Sequence, residues 1–349
     1  MKTVTQGNKA ASTLLLVAGI ALVAIALVLD FMGSSFAYRG TMLIVGLVAF
    51  FIGLYLIPSK KHHRRIVYFI FLFPLLFAFA VTVIIPLVLG IGYSFTDWTG
   101  IRYTQFVGLA NYTAMFKDPA FIWSVLITFI FVVLNMILVN VIAFALAVLC
   151  TSSVKFVGFF RTAYFLPNLI GGIVLGYIWQ FVFSNVLISV TKISWLSQTK
   201  MAMFAIIIVY IWQYAGYIML IYVTGLTQIP GEVLEASQID GANDAQTLFS
   251  IKLPMIAATI TICTFLTLTS AFKQFDVNMA LTNGTGSVPN FMGNYLSNGT
   301  QMLALNIYNT AIAKNSYALG QAKAVLFFII LAIVSLIQVR VSNKREVEM

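Results

Sequence analysis

Long stretches without Asp, Glu, Lys or Arg divide this chain and limit what it can fold into. Eight of them are strongly apolar, at residues 10–29, 40–59, 66–96, 119–154, 162–191, 201–231, 253–272 and 324–339. Each is close to or above the roughly 20 residues that a helix needs to cross a hydrocarbon core of about 30 Å. Because a chain in lipid must satisfy its backbone hydrogen bonds internally, these stretches predict helices. The chain is therefore predicted to be an all-α, polytopic membrane protein with about eight transmembrane helices.

Composition excludes several other classes of protein. Hydrophobic residues make up 61% of the 349 residues and charged residues only 9%, against roughly 25% charged residues in a soluble domain. The net charge of +10 would also suit a nucleic-acid-binding protein, but in a membrane protein it reflects Lys and Arg held in cytoplasmic loops. Cys150 and Cys263 lie far apart, and His62 and His63 are adjacent in a basic cluster. Neither pair indicates a disulfide framework or a metal site.

The orientation is predicted from the basic residues between the spans. The strongest signal is the connection Ser59-Lys-Lys-His-His-Arg-Arg65, which the positive-inside rule places in the cytoplasm. An even number of spans then places both termini there. The predicted cytoplasmic basic residues are Lys2, Lys9, Lys60, Lys61, Arg64, Arg65, Lys155, Arg161, Lys252, Arg340, Lys344 and Arg345. The first span could instead be a signal peptide cleaved near residues 35–37, but its long apolar run and the span directly after it favour retention.

Two stretches near the C-terminus carry separate predictions. The last span is short, so residues 317–320 are expected to extend it, with Lys323 snorkelling toward an interface. Residues 277–313 carry no charge but are dense in Asn, Gly, Thr and Ser. These polar groups would be unsatisfied in lipid, so most of this stretch is predicted to be loop.

The connection between the sixth and seventh spans predicts two short helices beneath the membrane. Pro230 suits a helix start, and Gly241 suits the turn after the first helix because glycine tolerates positive φ. Asn243 or Asp244 can cap the second helix, and Pro254 ends it. An amphipathic linker at the membrane interface is the alternative interpretation.

This connection, residues 227–254, resembles the EAA loop of binding-protein-dependent ABC importers. The matching residues are Glu235, Ala236, Asp240, Gly241, Ala242, Leu253 and Pro254. The departure from the pattern is Ser237, where a second alanine is common. The resemblance implies a coupling helix that docks into an ATP-binding subunit, with Glu235 making the polar contact and Gly241 at the bend.

Further motifs resemble the carbohydrate branch of these permeases. They are Tyr93-Ser-Phe-Thr-Asp-Trp98, Gly108-Leu-Ala-Asn-Tyr112, Phe160-Arg161-Thr-Ala-Tyr-Phe-Leu-Pro167, Gly176-Tyr-Ile-Trp179 and Phe272-Lys-Gln-Phe-Asp276. The resemblance implies a type I ABC importer permease fold. A six-helix core at residues 66–349 would follow two additional helices at residues 1–65, as in the MalF-like subunits of maltose-type importers.

The same resemblance implies the partners of the chain. They are a second permease subunit, two ATP-binding subunits, an extracytoplasmic sugar-binding protein and membrane lipid, with no nucleic acid. No cofactor is expected in this chain, because ATP and Mg would be bound by the ATPase subunit. The implied location is the bacterial plasma membrane.

Polar and aromatic residues crowd the middle of the sixth and seventh spans. Rings stack on the C–H faces of a sugar, while amides and hydroxyls take its hydrogen bonds. The predicted substrate path is Tyr210, Gln213, Tyr214, Tyr217, Thr267, Ser270 and Gln274. The resemblance to maltose-type subunits implies sugar contacts at Tyr210, Tyr214, Tyr217, Thr267, Ala271 and Gln274. The alternative is that these side chains only join helices, as polar groups in membranes often do. Lys273 and Asp276 are interpreted as an outer gate or as a structural pair.

Three classes of function compete for a chain of this kind. A permease that relies on a separate ATPase needs no phosphate-binding motif of its own, and no Gly-x4-Gly-Lys-Ser/Thr sequence occurs. A secondary transporter driven by an ion gradient would carry ionisable residues deep in several spans, which are nearly free of them here. An intramembrane enzyme would need buried acids or histidines near a nucleophile or metal. The sequence and the resemblance together predict a permease subunit for the uptake of carbohydrate, namely an oligosaccharide, and no enzyme activity. The alternative is the gradient-driven transporter.

Overall fold

A computed structural model describes residues 9–31, 38–56, 60–103, 105–152, 156–286, 288, 291–292 and 299–343. Within these ranges the regular structure is helical, apart from one isolated β-bridge between Thr96 and Phe106. The all-α class is confirmed. Two sets of predictions fall outside the described part: those for Lys2, Lys155, Lys344, Arg345 and the possible cleavage site at 35–37, and those for the side chains of Lys9, Lys60, Lys61, His62, His63, Arg64 and Arg65.

Sixteen α-helical segments follow one another along the described chain. They are α1 (Lys9–Phe31), α2 (Arg39–Tyr55), α3 (Lys60–Phe79), α4 (Ile85–Tyr93), α5 (Ala110–Lys117), α6 (Pro119–Thr151), α7 (Val157–Leu169), α8 (Gly172–Phe181), α9 (Ile188–Thr191), α10 (Thr199–Thr227), α11 (Gly231–Ile239), α12 (Asp244–Gln246), α13 (Leu253–Met255), α14 (Ala257–Phe272), α15 (Leu303–Tyr308) and α16 (Tyr317–Asn343). Segments of π-helix connect or follow several of them, at Ala80–Ile84, Val182–Leu187, Thr247–Lys252, Asn278–Thr282 and Asn309–Ala313.

Six helices in the described residues are long and apolar enough to cross a membrane. They are Ala11–Leu29, Phe71–Tyr93, Pro119–Thr151, Gly172–Thr191, Thr199–Thr227 and Tyr317–Val341. A seventh span results if Asp244–Met255 and Ala257–Phe272, which are bent by 74°, count as one, and Gly40–Tyr55 is apolar but shorter. Each predicted span thus coincides with an apolar helix, but the count of eight is not confirmed. The predicted fifth span is split, because α7 ends at Leu169 and the membrane-length helix begins at Gly172.

The chain separates into two compact units, Met1–Leu89 and Gly90–Met349. In the first unit, α1 and α2 pack closely along small residues. A Cβ added to Gly19 would lie 2.6 Å from the backbone nitrogen of Phe50, and the Ser12 hydroxyl donates a hydrogen bond of 2.8 Å to the carbonyl of Gly53. Small residues and hydroxyls are the usual means by which membrane helices approach each other. The predicted domain division after residue 65 remains a prediction.

Helix α10 is the central element of the second unit and packs against α6, α7 and α14. Its buried side chains include Val209 and Met219, which meet the buried Phe131 and Val139 of α6 in one core. Gly216 permits the contact with α7, because a Cβ at this position would overlap the backbone carbonyl of Tyr164. The helix that carries most of the predicted substrate path is therefore held on three sides by neighbouring helices.

The prediction that residues 277–313 are mostly loop is wrong in part. The described portion contains a π segment at Asn278–Thr282, helix α15 and a second π segment at Asn309–Ala313. Buried polar side chains in this portion are hydrogen-bonded within the protein. The side-chain nitrogen of Asn278 donates to the backbone carbonyl of Thr300 at 2.8 Å, and its side-chain oxygen accepts from the backbone N–H of Met302 at 3.1 Å. Polar groups excluded from lipid can be satisfied inside the protein as well as in a loop.

The prediction that Lys323 snorkels to an interface is also wrong. Its side chain is only 1% exposed, and its ammonium donates to Asp118 at 3.0 Å, to Asn306 at 2.9 Å and to Thr310 at 2.9 Å. The ammonium also lies 5.3 Å from the centre of the Phe121 ring. A buried charge is tolerated when it is paired and fully hydrogen-bonded, and this one joins α6, α15 and α16.

Candidate functional site

The connection after α10 forms the two short helices that its sequence predicts. Helix α11 begins directly after Pro230, and the turn at Gly241 has φ +77°. Asn243 caps the second helix by accepting from the Gln246 amide at 2.8 Å, while the Gln246 side chain accepts from the Asn243 amide at 2.8 Å. This reciprocal capping box satisfies two donors of the helix start. The helical run from Asp244 ends at Met255, one residue after Pro254.

Most residues that match the EAA pattern are accessible in this connection, called here the coupling loop (residues 227–254). Glu235, Ala236, Asp240, Gly241 and Pro254 are exposed, whereas Ala242 and Leu253 are half-buried. The departure at residue 237 is internal, since the buried Ser237 hydroxyl donates to the Leu234 carbonyl at 2.7 Å. A serine here therefore leaves the outer face of the helix unchanged.

Two large apolar side chains are exposed on the coupling loop. Ile239 is 85% exposed and Phe249 is 64% exposed. Neither residue was singled out in the sequence analysis above. The sequence did carry a signal for the exposure of Ile239, namely its position immediately before the Asp240-Gly241 turn. Both side chains therefore add apolar surface to the exposed face of this connection.

A cavity of about 380 Å³ lies among α8, α10, α14 and the residues after α14. It is lined by Gly172, Gln213, Tyr214, Tyr217, Ile218, Leu266, Thr269, Ser270, Lys273, Gln274, Phe275, Asp276 and Val277. Five of the seven residues of the predicted substrate path are therefore brought together around one cavity, namely Gln213, Tyr214, Tyr217, Ser270 and Gln274.

The cavity wall carries amide groups that are poorly satisfied within the protein. Gln274 is only 5% exposed, and its side-chain nitrogen has no hydrogen-bond partner among the described residues. The Gln213 side-chain nitrogen reaches only a long contact of 3.5 Å with the Ile170 carbonyl. Buried donors without a good partner are energetically costly and favour a ligand that accepts from them. The half-buried rings of Tyr214 and Tyr217 add apolar faces to the same cavity.

Tyr210 and Thr267 do not line the cavity and lie behind its wall. Tyr210 is fully buried, with its hydroxyl 2.6 Å from the Ser270 hydroxyl and its ring 4.4 Å from that of Tyr214. Thr267 donates to the Cys263 carbonyl at 2.9 Å and accepts from Asn140 at 3.3 Å. Tyr210 therefore contacts two residues that face the cavity, whereas the side chain of Thr267 bonds to residues outside the cavity lining. Ala271 is also fully buried, away from the cavity lining.

The charged end of the cavity is formed by Lys273 and Asp276, which are both exposed. They form no ion pair with each other in the described structure, so the interpretation as a direct structural pair is not supported. Gly172 permits the close approach of the start of α8 to Asp276, since a Cβ at that position would lie 2.7 Å from the Asp276 Cβ. Sequence analysis missed Gly172; the adjacent glycines at 171 and 172 were the available signal. No cluster of three or more His, Cys, Asp or Glu side chains occurs within the described ranges.

Comparison with known proteins identifies relatives over most of the chain. The sequence profile of the family described as binding-protein-dependent transport system inner membrane component matches residues 156–347. The chain is 42% identical over 298 residues to the probable starch degradation products transport system permease protein AmyD of Thermoanaerobacterium thermosulfurigenes, a match that covers 83% of this chain and 99% of the relative. It is 32% identical over 275 residues to the multiple sugar-binding transport system permease protein MsmF of Streptococcus mutans, covering 75% and 90%.

Two solved structures share the fold of this chain. One is a bacterial ABC transporter involved in the import of the acidic polysaccharide alginate, with a TM-score of 0.69, 18% identity and coverage of 82% of this chain and 98% of the other. The second is the bacterial alginate ABC transporter in complex with an alginate pentasaccharide-bound periplasmic protein, with a TM-score of 0.66, 20% identity and coverage of 82% and 95%. The predicted ABC importer permease fold is confirmed.

Proposed function

This chain belongs to the family of binding-protein-dependent transport system inner membrane components, and from that premise we infer that it is the permease subunit of an ATP-driven carbohydrate importer. One observation carries the inference most directly. The exposed coupling loop is joined at both ends to α10 and α14, the two helices that supply most of the polar cavity wall. A force applied to the loop would therefore reach the cavity through continuous helices.

The cavity suits a neutral or weakly charged sugar. It offers two amide side chains, a serine and a threonine hydroxyl, and two tyrosine rings, and such groups pair with sugar hydroxyls and stack on sugar C–H faces. Relatives named for starch degradation products and for multiple sugars support an oligosaccharide as cargo. With few strong contacts, the sugar would be held briefly and released.

The coupling loop would dock on an ATP-binding subunit that holds ATP and Mg, so this chain would need no cofactor of its own. The exposed Glu235 carboxylate would accept hydrogen bonds from that subunit, while Ile239 and Phe249 would bury apolar surface against it. From the bend at Ile256, α14 extends about 18 Å to the cavity residue Thr269 at a rise of about 1.5 Å per residue. A movement of the loop would then be transmitted to the cavity residues along α14.

The remaining partners follow from the same mechanism. A second permease subunit would complete the central path, two ATP-binding subunits would drive it, and an extracytoplasmic sugar-binding protein would deliver the cargo. The coupling loop must then face the cytoplasm, and the predicted orientation with both termini inside agrees with this. The chain would move its cargo across the membrane without chemical change, which is why we propose no enzyme activity for it.

The experiment is ATP-dependent uptake of a labelled α-1,4-linked glucose oligosaccharide by vesicles that contain the complete complex. Glu235→Lys places a like charge where a basic partner is expected, and we predict uptake reduced by about tenfold or more with normal membrane insertion. The control is Lys192→Glu, which also reverses an exposed charge but lies outside the loop. Equal uptake by Glu235→Lys and wild type would contradict the docking role, and uptake driven by a sodium or proton gradient without ATP would indicate a secondary transporter.

A further inference from the structure

A second cavity, an apolar groove of about 500 Å³, lies between α6 and α10 and has no part in the substrate path. The residues that line it are Trp123, Ile127, Ile130, Phe131 and Leu134 on α6, Thr199, Lys200, Met203, Phe204 and Ile207 on α10, and Val288. On each helix these positions recur at intervals of three and four, so each set forms one helical face. The groove is therefore a long furrow between two helix faces.

The dimensions of the groove match one hydrocarbon chain. The lining positions on α6 run over twelve residues, from Trp123 to Leu134, or about 16 Å, which is close to half of a hydrocarbon core of about 30 Å. The groove, of about 500 Å³, runs along that length and its walls are apolar, as the environment of an acyl chain must be.

One end of the groove is electropositive. Lys200 is exposed and is the one charged side chain among the lining residues. It lies in the first turn of α10, where the N-cap residue Gln198 makes no side-chain hydrogen bond to the helix. The dipole of a helix start attracts anions, and a lysine at the membrane surface adds to that attraction. Trp123 lies at the same end, as aromatic residues do at membrane interfaces.

We propose that this groove binds an anionic phospholipid, with one acyl chain between α6 and α10 and its phosphate at Lys200 and the start of α10. The apolar walls, the length of one leaflet and the charge at one end each match a different part of that molecule. Bound there, the acyl chain would fill the exposed groove beside Ile130 and Phe204. It would hold α10, which also carries the cavity residues Gln213 and Tyr217, against α6.

The test uses the complete complex in membranes that contain phosphatidylcholine with or without phosphatidylglycerol, and counts the retained lipids by native mass spectrometry. We expect wild type to prefer phosphatidylglycerol, and Lys200→Gln to reduce that preference about fivefold, the factor that corresponds to about 1 kcal/mol per lysine at an anionic surface. Lys192→Gln, at another exposed lysine, is expected to change nothing. An unchanged preference in Lys200→Gln would overturn the proposal.

A second measurement locates the acyl chain of the lipid and does not depend on the folding of Lys200→Gln. Phosphatidylglycerol with a photoactivatable acyl chain should label peptides from residues 123–134 and 199–207 of the wild-type complex. Ile130→Trp, which fills the groove without touching the lysine, should remove that label. Absence of the label from these peptides, or labelling that is equal in Ile130→Trp, would show that a lipid does not occupy the groove.

Discussion

Replacing Lys323 with methionine tests whether the buried ammonium holds the second unit together. Methionine keeps most of the length of the side chain and its packing beside Phe121, but it removes the donor shared by Asp118, Asn306 and Thr310. Two neutral acceptors and one carboxylate would lose their buried partner. The change therefore isolates the charge from the bulk of the side chain.

The expected magnitude follows from the burial of the two charges. Removing one partner of a buried ion pair costs about 3–5 kcal/mol, because the other charge is left uncompensated. The Asp118 side chain is 28% exposed whereas Lys323 is 1% exposed, so water can partly compensate the carboxylate. We therefore expect a loss near the lower end, about 3 kcal/mol for Lys323→Met. Asp118→Asn, which strands the more deeply buried ammonium, should cost at least as much.

The assay is thermal unfolding of the purified complex for the two single variants and the double variant Lys323→Met/Asp118→Asn. At about 2.1 cal/mol/K per residue, the 349-residue chain unfolds with an entropy of about 0.7 kcal/mol/K, so a loss of about 3 kcal/mol should lower its melting temperature by about 4 °C. The double variant should lose less than the sum of the single losses, because the partners contact each other directly. Lys192→Met, which removes an exposed lysine that is not among the partners of Lys323, is the control. A wild-type melting temperature for Lys323→Met, or strictly additive losses in the double variant, would refute the stabilising role of the buried Lys323–Asp118 pair.

Three further predictions concern the cavity, the core and the N-terminal spans. Tyr217→Ala and Gln274→Ala should each lower uptake several-fold while the ATPase rate persists, since one ring contact or hydrogen bond contributes about 1 kcal/mol. Gly216→Ala should prevent assembly, measured by gel filtration, because its Cβ would overlap the Tyr164 carbonyl. Deleting residues 1–58 should reduce insertion or assembly more than substrate affinity, measured by membrane yield against the concentration dependence of uptake.

Each of these three predictions has its own control and its own contrary outcome. Trp123, near the start of α6, is outside the cavity lining but is a poor control, because its ring nitrogen donates to the Gly299 carbonyl at 2.8 Å. Tyr177→Ala is better, because Tyr177 is exposed and does not line the cavity; equal impairment there would mean that the cavity is misplaced. A Gly216→Ala complex that assembles would contradict the close packing of α7 on α10. A truncated chain that assembles normally but changes its substrate would place the first spans on the path.

Local features were predictable from the sequence because they depend on neighbours in the chain. An uncharged apolar run must become a helix in lipid, whatever surrounds it, and this is why each predicted span coincides with an apolar helix. The coupling loop is likewise local: Pro230 starts its first helix, Gly241 supplies the positive φ and Asn243 caps the second helix. None of these needs a distant partner, so the printed sequence determined them.

Which residues face which neighbour was decided only by the tertiary structure. Spacing placed Tyr210 and Thr267 among the cavity residues, but the packing of α6 against α10 and α14 turns both behind the wall. Lys323 satisfies its charge inside the protein because Asp118 lies 205 positions away in sequence yet 3.0 Å away in space. A lone lysine in an apolar run predicts only that its charge must be satisfied; whether water, lipid headgroups or a buried carboxylate does so depends on contacts that a single span cannot contain.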